Sequence, residues 1–403
     1  MHKTVLKKRA VCPATTGCSK SIKMWLERLT AEAAVLRNGL CRRKEFIMHT
    51  LTKSELTEYN VGCNLDSLMN LDPRGYGVCR ILYAGARKFT GEPISTHAAK
   101  GLIANIKKGE KVFILTGFVL HPWNEAETDG IISSCVFARF LMRAFGAKPV
   151  MIVPEQCKKA IKAISNVLYF KTTDDIDNIE DNTVCIVEFT KKDDEAEAQC
   201  DEILSHGKPC AVVSIEAPGR NKNGYYHNAV GVNTSDLEAK FDILFMRCQK
   251  LGIFNLSIGD LGNEIGMAAI EDHIRKYVPY AELGGCKAGT GFGILASSAA
   301  DNIITATVSD WGCDALMAAT AFLIGKPQLL HNEEDQSAAM DAAAAVGMLD
   351  MYGEPRPYID GIGKSINIPM LSMMKALIEY PATVEDKTED WFKNTIKKGF
   401  FTE

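Results

Sequence analysis

The stretches KVFILT (111–116), IISSCVFARFLMRAF (131–145) and KPVMIV (148–153) decide the fold. The first and third are continuous apolar runs with β-branched residues, which is typical of strands buried on both faces of a sheet. The middle stretch has the length and pattern of a helix, and Gly146 follows it as a stop signal. A strand, a helix and a second strand at this spacing predict a βαβ unit with a right-handed crossover in a parallel sheet.

The same alternation continues along the chain. Apolar runs predict further strands at 183–189, 209–215, 253–258 and 303–308. Helical patterns lie at 96–107, 195–205, 235–251, 313–323 and 336–349. The predicted fold class is therefore α/β, with a largely parallel sheet flanked by helices and a C-terminal helical cover.

The composition excludes several classes of protein. Of the 403 residues, 46% are apolar and 24% charged, as in an ordinary globular protein. The net charge of −4 gives no reason to expect nucleic acid as a partner. No apolar stretch approaches the roughly 20 residues that a membrane span needs. Thirteen cysteines, an odd number without a CxxC pair, indicate reduced thiols and a cytoplasmic location.

The N-terminal segment differs from the rest of the chain. Its first 45 residues contain eleven Lys or Arg but only three acids, Glu27, Glu32 and Glu45. A basic, acid-poor start resembles a transit peptide, which would direct the protein to the mitochondrial matrix. The alternative is an upstream extension without a targeting role, or a start assigned too early, with the domain beginning near Met48. We predict a basic extension over 1–47 and one α/β domain over 48–403.

Four polar, glycine-containing loops follow predicted strands, where open α/β sheets bind their ligands. The first begins at Thr116 and Gly117 and runs to Glu127 and Asp129. Asp129 comes directly before a predicted helix, so helix capping is one explanation of it. Capping does not explain the second acid, Glu127.

The second loop begins with Glu216, directly after a predicted buried strand. A carboxylate at such a position must be paired, protonated or bound to a metal. Arg220 is a candidate partner for Glu216 or for an anionic substrate group. Asn223 and Tyr225 follow in the same loop.

The third loop, IGDLGNEIGM (258–267), is the most specific of the four. Asp260, Asn263 and Glu264 offer the hard oxygen ligands that Mg²⁺, Mn²⁺ or Ca²⁺ prefers. The structural alternative is a tight turn with an acidic helix start. In the fourth loop, SDWG (309–312), Asp310 is either a ligand or a helix cap.

Together, these loops resemble the D-glutamate cyclase family. The resemblance rests on TGF (116–118), ETDG (127–130), PGRNKNGYY (218–226), IGDLGNEIGM (258–267) and SDWG (309–312), in that order along the chain. It covers about residues 66 to 363. The family usually has Asn where Asp310 stands, and commonly Arg near Ala217, so substrate choice can differ here. The resemblance implies a parallel α/β core akin to that of the DHH phosphoesterases.

The resemblance also implies a reaction and a set of site residues. The reaction is the hydro-lyase conversion of D-glutamate to 5-oxo-D-proline and water, with a divalent metal (Mn²⁺, Mg²⁺ or Ca²⁺) and no organic cofactor. The expected metal ligands are Glu127, Asp129, Asp260, Asn263 and Glu264. The expected catalytic residues are Glu216 as general base, Arg220 as anchor for the α-carboxylate, and Asp310. The expected substrate-binding residues are Thr116, Gly117, Arg220, Asn223, Tyr225 and Asn263.

Two other functions stay open at this point. The same acids suit a metal-dependent phosphatase or related hydrolase that acts on a small phosphorylated substrate. A sensor that binds a metal or small molecule without turnover is the non-enzyme alternative. The expected partner in every case is a small anionic metabolite, and homo-oligomer formation is left open.

Overall fold

The computed structural model describes residues 52–383 and residue 398. The basic extension expected over 1–47 lies outside the described residues. Within the described part of the chain, no helix combines the length and the apolar character that a bilayer crossing requires.

A seven-stranded sheet forms the centre of the molecule. Its strands are β1 (Lys111–Leu115), β4 (Lys148–Val153), β5 (Lys171–Thr173), β6 (Thr183–Glu188), β7 (Ala211–Ile215), β8 (Phe254–Gly259) and β9 (Asn302–Thr305). Their order is β5-β6-β4-β1-β7-β8-β9, and every neighbouring pair is parallel. Two short hairpins accompany it: β2 (Val119–Leu120) with β3 (Glu125–Ala126), and β10 (Tyr358–Ile359) with β11 (Ile362–Gly363).

Helices cover the sheet. They are α1 (Lys53–Met69), α2 (Val78–Thr90), α3 (Ile94–Asn105), α4 (Ile131–Phe145), α5 (Lys158–Leu168), α6 (Asp193–Ser205), α7 (Asp242–Lys250), α8 (Glu271–Tyr277), α9 (Ser309–Leu323), α10 (Glu333–Ala345) and α11 (Lys364–Glu379). Helix α9 is buried from its first residue to Ala321, because it packs among α1, α3, α4 and α11 as well as on the sheet. This position explains why apolar residues occur on all sides of the helix.

The α/β prediction and the C-terminal helical cover are confirmed, since α10 and α11 follow the last strand of the central sheet. The deciding βαβ unit is present as β1, α4 and β4, with the predicted bounds of α4 and β4 unchanged. The prediction missed the edge strand β5, both short hairpins and the helices α1, α2 and α5.

Two predicted helix starts were wrong by four residues or more. The helix expected over 235–251 begins only at Asp242. The segment before it is held by tertiary bonds instead: the Lys240 amide donates to the Thr190 carbonyl at 2.9 Å, and its Nζ donates to the Ser235 carbonyl at 2.6 Å. Helix α9 begins at Ser309, four residues before the predicted start, so Asp310 lies in its first turn.

The strand order reverses between β1 and β7. From β1 the chain builds the sheet outward through β4 to β6 and β5, and it then returns to add β7, β8 and β9 on the other side. At such a switch point the loops diverge and leave a crevice at the carboxyl ends of the strands. The four polar loops begin at the carboxyl ends of β1, β7, β8 and β9.

Candidate active site

Buried carboxyl groups converge at this switch point. Asp129, Asp260 and Asp360 each place an oxygen within 4.8 Å of the others, and so do Glu216, Asp260 and Glu264. All five side chains are buried. Asp260 belongs to both triads and therefore stands at the centre of the cluster.

Asp260 is the least compensated member of the cluster. Only 6% of it is exposed, yet within residues 52–383 no hydrogen bond to its carboxylate is found. Burial and the neighbouring charges of Asp360, Asp129 and Glu264 raise its pKa well above the usual range, although Arg74 opposes this rise. A buried carboxyl without a donor requires a proton or a cation.

Asp129 and Asp310 cap each other's helices. The Asp129 carboxylate, at the entrance to α4, accepts hydrogen bonds from the backbone amides of Ser309 (3.1 Å) and Asp310 (3.0 Å) at the start of α9. The Asp310 carboxylate accepts from the amides of Gly130 and Ser133 at the start of α4, both at 3.1 Å. The sequence left helix capping open as a role for each acid. Both acids do cap a helix, but Asp129 caps α9 and Asp310 caps α4. The exchange joins two helix N-termini beside the cluster and places positive dipole ends there.

Glu264 organises its own loop. Its carboxylate accepts hydrogen bonds from the amides of Asp260 (3.0 Å), Leu261 (2.7 Å) and Gly262 (2.6 Å). Gly259 makes this possible, because a Cβ there would lie 2.8 Å from the Glu264 carboxyl carbon. Three amide donors explain how a buried carboxylate is tolerated in this turn.

Glu216 adopts a strained backbone conformation, with φ of +42°. The Ser309 hydroxyl donates a 2.5 Å hydrogen bond to its Oε2. Gly130 packs against it so closely that an added Cβ would lie 2.6 Å from the Glu216 Cβ. Burial, then Asp260 and Glu264, raise the pKa of Glu216 well above the usual range. Left-handed non-glycine residues are uncommon and concentrate at functional sites.

Thr116 and Gly117 line the β1 side of the site. The Gly117 amide donates to the Glu216 carbonyl at 3.2 Å. The Thr116 hydroxyl is buried without a hydrogen-bond partner among the described residues. It would lie 2.8 Å from a Cβ on Gly130, which places it beside Glu216.

Arg220 lies in a separate ion-pair network. Its Nε donates to Asp242 Oδ2 at 2.8 Å, its Nη2 donates to the Tyr226 hydroxyl at 3.0 Å, and its Nη1 lies 3.1 Å from Asp193. Burial lowers the pKa of Arg220, but Asp242 and Tyr226 raise it by more. The pairing with Glu216 that the sequence suggested is therefore absent from the structure. The guanidinium is already occupied by protein groups.

Three more predicted residues are not members of the acid triads. Asn223 is exposed and its Nδ2 donates to the Thr290 carbonyl at 2.8 Å, while Tyr225 is 42% exposed. Asn263 is buried, and its Nδ2 donates to the His227 carbonyl at 2.9 Å. The Asn263 Oδ1 has no partner in the described part of the chain, so it is free to accept from a ligand.

Glu127 lies beside the cluster but outside both triads. It is half-buried. Burial, then the charges of Asp360 and Asp129, raise its pKa well above the usual range. Its position suits contact with a bound molecule.

Sequence analysis missed Arg74 and Asp360. Asp360 occupies the turn between β10 and β11, with φ of +45°. Its carboxylate forms an ion pair with Arg74, whose Nη2 also donates to the Thr307 carbonyl at 2.5 Å. Asp360-Gly361 has the form of a hairpin turn, which is why it attracted no functional interpretation. Among residues 52–383, Arg74 is the cation that bonds directly to this cluster.

The donor set fits a hard divalent cation. Carboxylate oxygens are the ligands that Mg²⁺, Mn²⁺ and Ca²⁺ prefer, and the spacing within each triad allows one ion to touch three of them. Of the five expected ligands, the triads contain Asp129, Asp260 and Glu264. Asp360 replaces Glu127 in the first triad.

Comparison with known proteins agrees with this geometry. A family model described as D-glutamate cyclase-like, C-terminal, matches residues 65–375. The human protein "D-glutamate cyclase, mitochondrial" is 26% identical over 267 residues, which is 64% of this chain and 38% of that protein. The chain thus spans well under half the length of this relative. The match over most of the chain shows that it belongs to the D-glutamate cyclase-like C-terminal family.

Proposed function

We propose that this protein is a hydro-lyase that converts D-glutamate to 5-oxo-D-proline and water. The observation that carries the proposal is Asp260, a buried carboxyl without a donor at the centre of an acid cluster, in a chain of the D-glutamate cyclase-like family. The human relative is named "D-glutamate cyclase, mitochondrial".

The reaction forms one bond and breaks another within a single molecule. The amine nitrogen of D-glutamate attacks its own γ-carboxyl carbon, and a C–O bond of that carboxyl breaks. Two protons of the ammonium group leave with the released oxygen as water. The protein must therefore hold the substrate folded, accept a proton from the amine and deliver one to the departing oxygen.

A divalent metal fits the triad of Asp129, Asp260 and Asp360. When bound there, it would supply Lewis-acid polarisation of the γ-carboxyl, which is otherwise a poor electrophile. Glu264 holds the Asp260 loop in place through its three backbone contacts. Arg74 holds Asp360 in this triad through their ion pair.

Glu216 is our candidate for the base that accepts the amine proton. The Ser309 hydroxyl fixes one of its oxygens and leaves the other for the substrate. Asp310 has a positioning role, because both its oxygens accept amides at the start of α4. Thr116 and Asn263 have unpartnered oxygens and are our candidates for hydrogen bonds to the bound substrate.

The direct test follows D-glutamate by proton NMR with purified protein and Mn²⁺ or Mg²⁺, beside L-glutamate and an EDTA control. We expect 5-oxoproline from the D-isomer alone, and its loss with EDTA. Turnover that survives EDTA would contradict the metal. Conversion of neither isomer would contradict the cyclase and make hydrolysis of phosphate esters the next reaction to assay.

The compartment of this reaction is part of the proposal. We propose the cytoplasm, whereas the human relative is named as mitochondrial. Imaging the chain with and without residues 1–47 distinguishes the two, because a transit peptide would carry the full chain into mitochondria. Mitochondrial signal that disappears with the segment would contradict the cytoplasmic assignment.

A further inference from the structure

Lys191 differs from the other cations near the sheet's carboxyl edge. It follows β6 and is half-buried, yet within residues 52–383 it forms no hydrogen bond or ion pair. The next residue, Lys192, is exposed and paired with Glu195 at 2.7 Å. Arg220 and Arg74 are both bound to protein carboxylates. Lys191 is therefore available to an anion from outside the chain.

The backbone brings Lys191 to a buried acid. The hydrogen bond from the Lys240 amide to the Thr190 carbonyl (2.9 Å) holds the segment before α7 against the end of β6. Glu238, two residues earlier, is fully buried. It lies close enough to Lys191 for each charge to alter the pKa of the other.

The same acid reaches back to the catalytic cluster. Glu238 Oε2 accepts a hydrogen bond from the Val119 amide at 3.3 Å, and Val119 pairs with Ala126 in the β2–β3 hairpin, directly before Glu127. Glu238 lies close enough to Glu127 for its charge, when Glu238 is ionised, to raise the pKa of Glu127. Lys191, Glu238 and Glu127 thus form a series that leads from the end of β6 to the acid triads.

Glu238 does not neutralise Lys191. Its Oε1 is buried without a hydrogen-bond partner in the described part of the chain. Burial raises the pKa of Glu238 to about 8, against the opposing effects of Thr234, the Val119 amide and Lys191. The carboxyl is then mostly neutral at pH 7 and has a proton to donate. Burial also lowers the pKa of Lys191, because it destabilises the charged ammonium group. A carboxylate bound beside Lys191 would stabilise that charge.

We propose that Lys191 and Glu238 form the subsite that binds the α-carboxylate of the substrate. This inference rests on the proposed cyclase function. The γ-carboxyl must lie at the acid triads because it reacts there, and the unreacting carboxylate therefore needs a cation farther from them. Arg220, the anchor expected from sequence, is held by Asp242.

The reaction provides a diagnostic pair of ligands. Cyclisation consumes the γ-carboxylate but leaves the α-carboxylate intact, so 5-oxo-D-proline retains only the group assigned to Lys191. A residue that binds the α-carboxylate must bind both molecules. A residue that binds the γ-carboxylate would bind D-glutamate alone.

The test compares Lys191→Met with Lys192→Met, the exposed neighbour, in the full chain. Lys191→Met removes one charged hydrogen bond, so the binding of both ligands should weaken by roughly tenfold to a hundredfold. The KM measures this for D-glutamate, and the inhibition constant measures it for 5-oxo-D-proline. Lys192→Met should match wild type. Lys191→Arg should recover part of the loss, and an unchanged Tm would show that Lys191→Met folds.

The outcomes separate this inference from the cyclase proposal. Wild-type turnover with an unchanged KM in Lys191→Met would overturn the subsite alone. Weaker binding of D-glutamate with unchanged binding of 5-oxo-D-proline would place the γ-carboxylate at Lys191 and would also overturn the proposed subsite. Calorimetric binding of D-glutamate without turnover, lost in Lys191→Met, would overturn the cyclase and support the carboxylate subsite. Binding of neither ligand by wild type would overturn both.

Discussion

Two groups of buried charge lie at the same edge of the sheet, and they differ in how their charges are compensated. Around Arg220, the carboxylates of Asp242 and Asp193 and the Tyr226 hydroxyl surround one guanidinium. Around Asp260, carboxyl groups meet other carboxyl groups, and the nearest cation is shared with Asp360. The first arrangement is a complete structural network, whereas the second is complete only when a cation or protons are added.

The largest loss of turnover should follow substitution of Asp260, at the centre of the cluster of buried acids. Asp260→Asn keeps the shape but removes a charge from both triads, and we expect D-glutamate turnover to fall by about a thousandfold or more. The metal-free variant should be at least as stable as wild type at pH 8, since like-charge repulsion decreases. Turnover by NMR and Tm by calorimetry give the two readouts. Retained turnover would contradict the role of Asp260.

Asp242→Asn should have the opposite effect to Asp260→Asn: stability should fall, whereas turnover should be retained. It leaves the Arg220 charge without its main partner, and breaking such a buried pair should lower the free energy of unfolding by about 3 kcal/mol. Chemical denaturation measures this loss. An Asp242→Asn protein with unchanged stability and abolished turnover would show that the Arg220 network is part of the catalytic site.

Ser309→Ala tests the orientation of Glu216 with a smaller change. Removal of the hydroxyl that donates to Glu216 should cost about 1 kcal/mol of stability and reduce kcat by about tenfold. Steady-state kinetics with Ser297→Ala as a control outside the cluster provides the measurement. If both variants retain the wild-type kcat, the serine does not orient the base.

The smallest effect concerns pH. Burial raises the pKa of Asp310 to about 7 and those of Asp314 and Glu238 to about 8. These folded-state values exceed those of the unfolded chain, so their stabilising contribution is lost as the pH rises through about 7 to 8. Metal-free protein should therefore gain stability from pH 8 to pH 6.5. His331, whose pKa burial lowers to about 4, opposes this trend only below about pH 6.5.

Thermal scans of EDTA-treated protein across pH 6.5 to 8 measure this slope. Saturating Mn²⁺ should reduce or reverse it, because ionised carboxylates bind the metal. A metal-free protein that becomes more stable toward pH 8 would contradict the view that its buried acids lack compensation.

The contrast also explains what the sequence could predict. Buried parallel strands have a clear apolar signature, and the acids that follow them must meet at one edge of the sheet. This logic placed Asp129, Glu216 and Asp260 near one another without knowledge of the structure. The same reasoning could not predict Asp360, because this residue lies in the turn of the β10–β11 hairpin and does not follow a strand of the central sheet.

The sequence also could not predict which residues pair with each other in the folded protein. Arg220 is close to Glu216 in sequence, but the loop turns it toward Asp242 at the start of α7. Asp129 precedes α4 yet caps α9. Lys191 attracted no prediction, because its distinguishing property is the absence of a partner in the described fold. Such pairings depend on tertiary packing, which sequence spacing does not encode.

The most direct test of the central claim is Mn²⁺ binding to wild type and to Asp260→Asn, followed by electron paramagnetic resonance as free Mn²⁺ disappears. The account predicts that wild type binds Mn²⁺ and that Asp260→Asn loses most of this affinity while remaining folded. Equal Mn²⁺ binding by the two proteins would contradict the assignment of the metal to the cluster around Asp260.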